Sequence, residues 1–140
     1  MNMDSGVTLR LRSDIPGSAD GRRMRALSYD ILADGVRVGT CELRPEMAWT
    51  AYLGGQISYT VFPAFRGHRY ALGALQCLLG EAKAFGLKEL LVTCRPENRA
   101  SRRILELAGA AFEGVHSVPS GHPLSGSDIH RVCVYRLIAL

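Results

Sequence analysis

In the stretch FPAFRGHRYALGAL, residues 62–75, Arg66, Gly67, His68 and Arg69 stand where an apolar helix should begin. A helix start leaves its first N–H groups without partners and carries a partial positive charge. Ser, Thr, Asp or Asn and acidic neighbours are therefore favoured there. This start has none of them. Cations beside a positive helix end make sense when an anion completes the arrangement. Successive N–H groups form a cradle, a glycine permits close backbone approach, and arginines add charge-assisted hydrogen bonds to phosphate. The same residues also describe a solvated basic turn, and the local pattern does not separate the two readings.

Little else in the chain has ligand or nucleophile spacing. Cys41, Cys77, Cys94 and Cys133 are widely separated, with no CxxC pair and no partnered histidine, so they read as free thiols rather than disulfides or a zinc site. His116, His122 and His130 show no ligand pattern, and no metal is expected. GxSxG, GxGxxG and the P-loop pattern are absent, which removes the common hydrolase, dinucleotide and NTPase signatures.

The 140 residues fit one domain, 1–140, with 47% hydrophobic and 21% charged residues as in an ordinary globular protein. A net charge of +4 and a pI near 9.1 suit a phosphate-bearing partner but are too mild to call for nucleic acid. No apolar run reaches membrane-spanning length, and the polar N-terminus lacks the apolar core of a signal peptide. The expectation is a cytoplasmic protein without a membrane partner.

These residues need elements to position them. VTLRLR, 7–12, alternates as a first strand, and 13–23 is loop-like. ALSYDILADGVRVGTCEL reads as two strands joined at Asp34-Gly35, and GQISYTVF, 55–62, as the next. From Ala71 to Phe85 apolar residues recur at helical spacing up to a stop at Gly86, and 87–94 is a short apolar strand. Strand, helix, strand in that order implies a parallel pair with a crossover helix. ENRASRRILELAG is a second helix with Ala100, Ile104, Leu107 and Ala108 on one face. AAFEGVHSV and IHRVCVYRLIAL are strands flanking an exposed loop at 119–128. The class is α+β or mixed α/β.

Placed on these elements, VFPAFRGHRYALGAL resembles the acetyl-CoA signature of the GNAT superfamily of N-acetyltransferases, Gln/Arg-x-x-Gly-x-Gly/Ala, with Arg66 and Ala71 at its first and last fixed positions. LLVTCRPENRASRRILELAGAAFEG is similar to the family's next strand and helix, where Asn98, Ser101 and Gly109 fit. The resemblance runs from about Gly54 to Gly114. It implies a central, mostly antiparallel mixed sheet with a parallel β-α-β unit that binds acetyl-CoA. It also implies roles for particular residues. The main chain at Val61 and Phe62 would bond the pantetheine arm. Arg66 and the N–H groups of Gly67, His68, Arg69, Tyr70, Ala71 and Leu72 would hold the pyrophosphate. Asn98, with Ser101 beside it, would face the arm from the other side. Asn98 also fits a plain helix cap, and Ser101 a plain small packing residue.

Three departures stand out. Arg69 replaces the signature's internal glycine, and the segment between the first two strands is too short for the family's usual two helices. Gly55 or Gln56, Thr93 and Leu105 occupy the places of the usual base and acid, and none can do that work. Glu42 through a water, Tyr59 and His116 are the substitutes the sequence offers for proton transfer, each equally readable as an ordinary strand residue. The leading expectation is direct acetyl transfer from acetyl-CoA to a primary amine in a ternary complex, with the acceptor open and a homodimer conceivable. The alternatives are a non-catalytic acyl-CoA-binding relative and a small RNA-binding module. An aromatic content of 7% without a stacking platform disfavours the RNA module.

Overall fold

The computed structural model describes residues 6–20, 23–46, 51–120, 122 and 130–138. Its strands are β1 (Val7–Ile15), β2 (Ala26–Ala33), β3 (Val36–Leu43), β4 (Ile57–Val61), β5 (Glu89–Cys94), β6 (Ala111–Ser117) and β7 (Arg131–Ile138). Its helices are α1 (Ala51–Gly54), α2 (Tyr70–Ala84) and α3 (Arg99–Leu107), with a 3-10 turn at Pro63–Phe65. Most of the expected loop at 119–128 lies outside the described residues.

The hairpin at Asp34-Gly35 forms as expected, with both residues at positive φ, 51° and 79°. β1 runs past the expected end at residue 12. A bulge at Arg12 lets the ladder resume at Ser13–Ser28, and Arg25 pairs with Asp14 at 2.7 Å across it. The strand expected over 87–94 starts later, as β5 at Glu89. Leu87 belongs instead to the turn that stops α2, where its N–H bonds Ala82 O and that of Gly86 bonds Lys83 O, a glycine-centred stop. α3 ends the same way at Gly109.

The strands form two antiparallel sheets, β1-β2-β3-β4 and β5-β7-β6. Alternation decides their faces. Leu27, Tyr29 and Ile31 of β2, Cys41 and Leu43 of β3, and Ile57 of β4 turn to one side. They join Leu75, Leu78 and Ala82 of α2, Leu105 of α3 and the inner residues of β5 and β7 in one core. The opposite face of the first sheet is polar. Asp30, nearly fully buried, receives Arg10 at 2.8 Å and Arg37 at 2.6 Å, and Ser28, Glu42 and Ser58 stand in one cross-strand row. Leu91, Val132 and Val134 form a smaller cluster on the far side of the second sheet, covered by Tyr52 and Leu53 of α1. No helix among the described residues is long and apolar enough to cross a membrane.

The β4-α2-β5 unit is present, yet its two strands touch only at their beginnings. Gln56 donates its N–H to Leu91 O at 2.7 Å, and its side-chain Oε1 accepts from Leu91 N at 2.9 Å. A side-chain amide thus takes the place of the next ladder rung. Gly55, at φ 76°, lies so close to Thr93 that a Cβ would meet its Oγ1 at 3.1 Å and its N at 3.2 Å. Beyond this vertex the sheets splay.

Two measurable consequences follow from this packing. Gln56→Ala strips the partner from a buried N–H and leaves a void, so it should destabilise the chain by about 2–3 kcal/mol, read as a lower urea midpoint. Burial pushes the Cys41 thiol from its ordinary 9.0 to about 12, and the facing Tyr29 hydroxyl from 10.0 to about 12. The unfolded chain releases these protons first as pH rises, so the stability they contribute is complete below about pH 9 and declines progressively towards about pH 12. Urea midpoints followed over that range should fall in the parent and fall less steeply in Cys41→Ala, whereas a flat profile contradicts the assignment.

Candidate functional site

The splay opens a groove of about 880 Å³ between β4 and the β5–α3 junction. Ser58, Tyr59, Thr60 and Val61 form one wall, and Thr93, Cys94, Asn98 and Ser101 the other. Gly67, Arg69, Tyr70 and Ala71 line its end at the start of α2. Arg44, Arg66, Arg69 and Arg103 all line it, and no carboxylate does so among the described residues.

Antiparallel pairing explains which backbone groups face this space. The Phe62 N–H donates to Val38 O at 2.8 Å, next to the Val61–Gly39 pair. In such a ladder the neighbouring residue turns its own N–H and C=O the other way, so Val61, and Tyr59 two residues before it, present theirs away from β3. Phe62 has its donor committed to β3 and carries Arg37 over its ring at 5.1 Å; it does not line the groove.

The start of α2 is uncapped. Among the described residues no side chain bonds its first N–H groups, no acidic residue stands in its first turn, and the first intrahelical bond is Gly73 N to Arg69 O. Tyr70, Ala71 and Leu72 are thus left with donors at the positive end of the helix dipole. Gly67 has φ 90°, and a Cβ built there meets nothing within 4 Å, so its backbone stands beside open space. Arg69 occupies the left-handed region at φ 59°, ψ 27°. A glycine holds that conformation without penalty, and an arginine does so at about 1 kcal/mol or more. Arg66 Nε donates to Val61 O at 3.2 Å, which sets its guanidinium across the groove mouth.

The two walls meet through side chains. Tyr59 and Ser101 share a hydrogen bond of 2.9 Å, and Asn98 Oδ1 caps α3 by accepting from Ser101 N at 3.1 Å. Burial raises the Tyr59 hydroxyl above its ordinary value, against a smaller opposing effect of the Ser101 hydrogen bond. It therefore stays protonated through neutral pH and suits a proton donor, not a base.

The other expected residues lie outside the groove lining. Leu72 is buried in the core by its side chain. His68 is exposed, its Nδ1 3.2 Å from Phe65 O and its ring stacked on Tyr70. His116, on β6, contacts Glu113 O at 3.0 Å and packs edge-on against Tyr52. Glu42 pairs with Arg44 and lines a second hollow of about 260 Å³ on the polar sheet face, which shares Ser58, Tyr59 and Thr60 with the groove.

Sequence reasoning missed Arg44, Arg103 and the groove face of α3. The face expected to carry Ala100, Ile104, Leu107 and Ala108 turns towards the groove. Ala100, Ile104 and Leu107 line it, leaving Leu107 37% exposed, while the fully buried residue of the helix is Leu105, which lay outside that stripe. Helical periodicity marked the stripe and could not tell a core from a groove wall. No group of three or more His, Cys, Asp or Glu among the described residues could hold a metal ion.

Several solved structures that share this fold are acetyltransferases. Mycobacterium smegmatis RimJ in complex with CoA-disulfide is 26% identical, with a TM-score of 0.64 over 82% of this chain and 54% of its own. An acetyltransferase from Salmonella typhimurium that modifies the N-terminal serine of a 50S ribosomal subunit protein is 21% identical, with a TM-score of 0.62 over 81% and 63%. The microcin self-immunity acetyltransferase MccE, in complex with acetyl-CoA and AMP, is 19% identical, with a TM-score of 0.60 over 81% and 61%. This chain thus spans less than two thirds of the length of these structures. No curated protein sequence matches it closely enough to count as a relative. The family model for the acetyltransferase (GNAT) domain matches residues 8–111, from the first strand through both groove walls. With the groove, the uncapped helix and that match in agreement, the chain belongs to the GNAT acetyltransferase family.

Proposed function

We propose that this chain is an acetyl-CoA-dependent N-acetyltransferase that transfers the acetyl group directly to a primary amine while both substrates are bound. The observation that carries the proposal is the uncapped start of α2. Its N–H groups, open Gly67 backbone and flanking Arg66 and Arg69 end a groove that contains four arginines and no carboxylate among the described residues. A long flexible ligand ending in pyrophosphate fits such a site in charge, donors and shape.

The residues divide the work. The N–H groups of Tyr70, Ala71 and Leu72 hold the pyrophosphate, and Arg66 and Arg69 neutralise it. Val61 offers its main chain to the pantetheine arm as a strand edge would, with Asn98 and Ser101 opposite. When bound, acetyl-CoA supplies an acetyl thioester that an unprotonated amine can attack without a covalent enzyme intermediate. Proximity and orientation within the groove provide much of the acceleration. Tyr59, kept protonated by burial and aligned by Ser101, holds the proton that a departing thiolate needs. Glu42, across the shared wall, is available to an ammonium ion arriving on the polar sheet face. Of the similar structures named above, the Salmonella enzyme bears on the acceptor through the N-terminal serine it modifies, an amine at a peptide end.

Two experiments separate binding from chemistry. Acetyl-CoA at about a hundred times its dissociation constant should stabilise the parent by about 2.7 kcal/mol, a melting shift of roughly 3–5 °C, and Arg66→Glu should abolish the shift without lowering the unliganded melting point appreciably. An absent shift in the parent removes the cofactor assignment. With an acceptor found by an amine screen, Tyr59→Phe should lower kcat by about a hundredfold or more, followed as thiol release, while the acetyl-CoA melting shift persists. An unchanged kcat excludes Tyr59 as the proton donor.

A further inference from the structure

Cys94 closes β5, and Cys133 stands directly opposite it on β7. Both are free thiols. Directly opposed residues of an antiparallel pair have Cα atoms roughly 4.5–5.5 Å apart, within the range of about 4.4–6.8 Å that a disulfide spans. Opposed residues also project to the same face of a sheet, and both side chains meet the main core on that face. The two differ in access. Cys133 is fully buried in the core, whereas Cys94 is partly exposed and lines the groove. An outer thiol can be reached from the groove, and an inner one only through the outer.

We propose that Cys94 and Cys133 form a redox-active dithiol in the groove wall, Cys94 exchanging with a low-molecular-weight disulfide and Cys133 resolving the product into a cross-strand disulfide. Coenzyme A disulfide is the co-reactant the groove favours, a choice that rests on the cofactor assignment above. Cys94 thiolate attacks one sulfur of that disulfide, forming a mixed disulfide and releasing one coenzyme A thiolate. Cys133 thiolate then attacks the Cys94 sulfur, forming the internal disulfide and releasing the second. Two protein thiols are oxidised, one disulfide is reduced to two thiols, and the two protein protons end on coenzyme A. Burial holds the Cys94 thiol above its ordinary value, so it presents little thiolate at neutral pH. A disulfide met in free solution therefore reacts slowly, and one held along the groove gains from proximity.

The test incubates the reduced full chain with coenzyme A disulfide or, separately, with oxidised glutathione. Remaining thiols are alkylated and the digested peptides mapped by mass spectrometry. The expected product is a peptide pair linking Cys94 to Cys133, reversed by dithiothreitol and formed about tenfold or more faster with coenzyme A disulfide. Cys133→Ala should stop at a mixed disulfide on Cys94, and Cys94→Ser should leave Cys133 unmodified. Equal rates with both reagents uphold the dithiol and overturn the groove's part in recruiting its co-reactant. A parent with unchanged near-ultraviolet circular dichroism that yields no Cys94–Cys133 link with either reagent overturns the proposal, as does a link from Cys133 to Cys41 or Cys77. Because the parent's linked peptide decides the matter, a Cys133 variant that fails to fold does not.

Discussion

The structure depends on a single buried glutamine. Gln56 joins the two half-sheets by giving its N–H to Leu91 O and accepting Leu91 N on its side-chain Oε1, at 2.7 and 2.9 Å. A further ordinary ladder rung would hold β4 and β5 parallel and closed. A side chain used as the second rung ends the pairing there. Gly55 supports this by its close approach to Thr93, and Arg44 N bonds Gln56 O at 2.6 Å from the β3 side. Every groove residue on β4 and β5 takes its position from the angle set at this vertex. Gln56 Nε2 has no hydrogen-bond partner among the described residues.

The opposite end of the groove is governed by charge. An uncapped helix with Arg66 and Arg69 at its start is unfavourable in isolation, since the dipole and the cations repel. Arg69 adds backbone strain by holding the left-handed conformation natural to glycine. Local rules are violated together at one place, which is the pattern expected where binding rather than stability determined the residues. An anionic ligand resolves the violations at once, because it accepts from the N–H groups and neutralises the side chains.

The first sheet shows how a polar face can stand without covering helices. Asp30 is enclosed by Arg10, Arg12 and Arg37, and the Ser28–Glu42–Ser58 row offers only small polar side chains and one carboxylate. Alternation alone separates this face from the apolar one that packs on α2. Between β1 and β2 the described residues contain no helix, and the polar hollow containing Glu42 opens directly on this face. The wall between hollow and groove is one strand thick. Ser58, Tyr59 and Thr60 belong to both, so chemistry on one side is within reach of charge on the other.

Much of this was legible in the sequence by itself. Period-two and helical patterns located the strands and the two longer helices, Asp34-Gly35 marked the hairpin, and Gly86 and Gly109 marked both helix ends, because each signal is local. The uncapped, cation-flanked start of α2 was equally visible, since a missing cap and crowded cations are facts about adjacent residues. Only the tertiary structure decided the rest. Nothing in the composition of Gln56 tells that its amide serves as a ladder rung. The periodicity of α3 cannot tell that Ile104 and Leu107 face a groove while Leu105 is buried, and the spacing of Tyr59 from Ser101, or of Cys94 from Cys133, carries no sign that the first pair bonds and the second stands opposed. Those relations depend on how two sheets splay, which is a property of long-range packing and is written in no single segment of the chain.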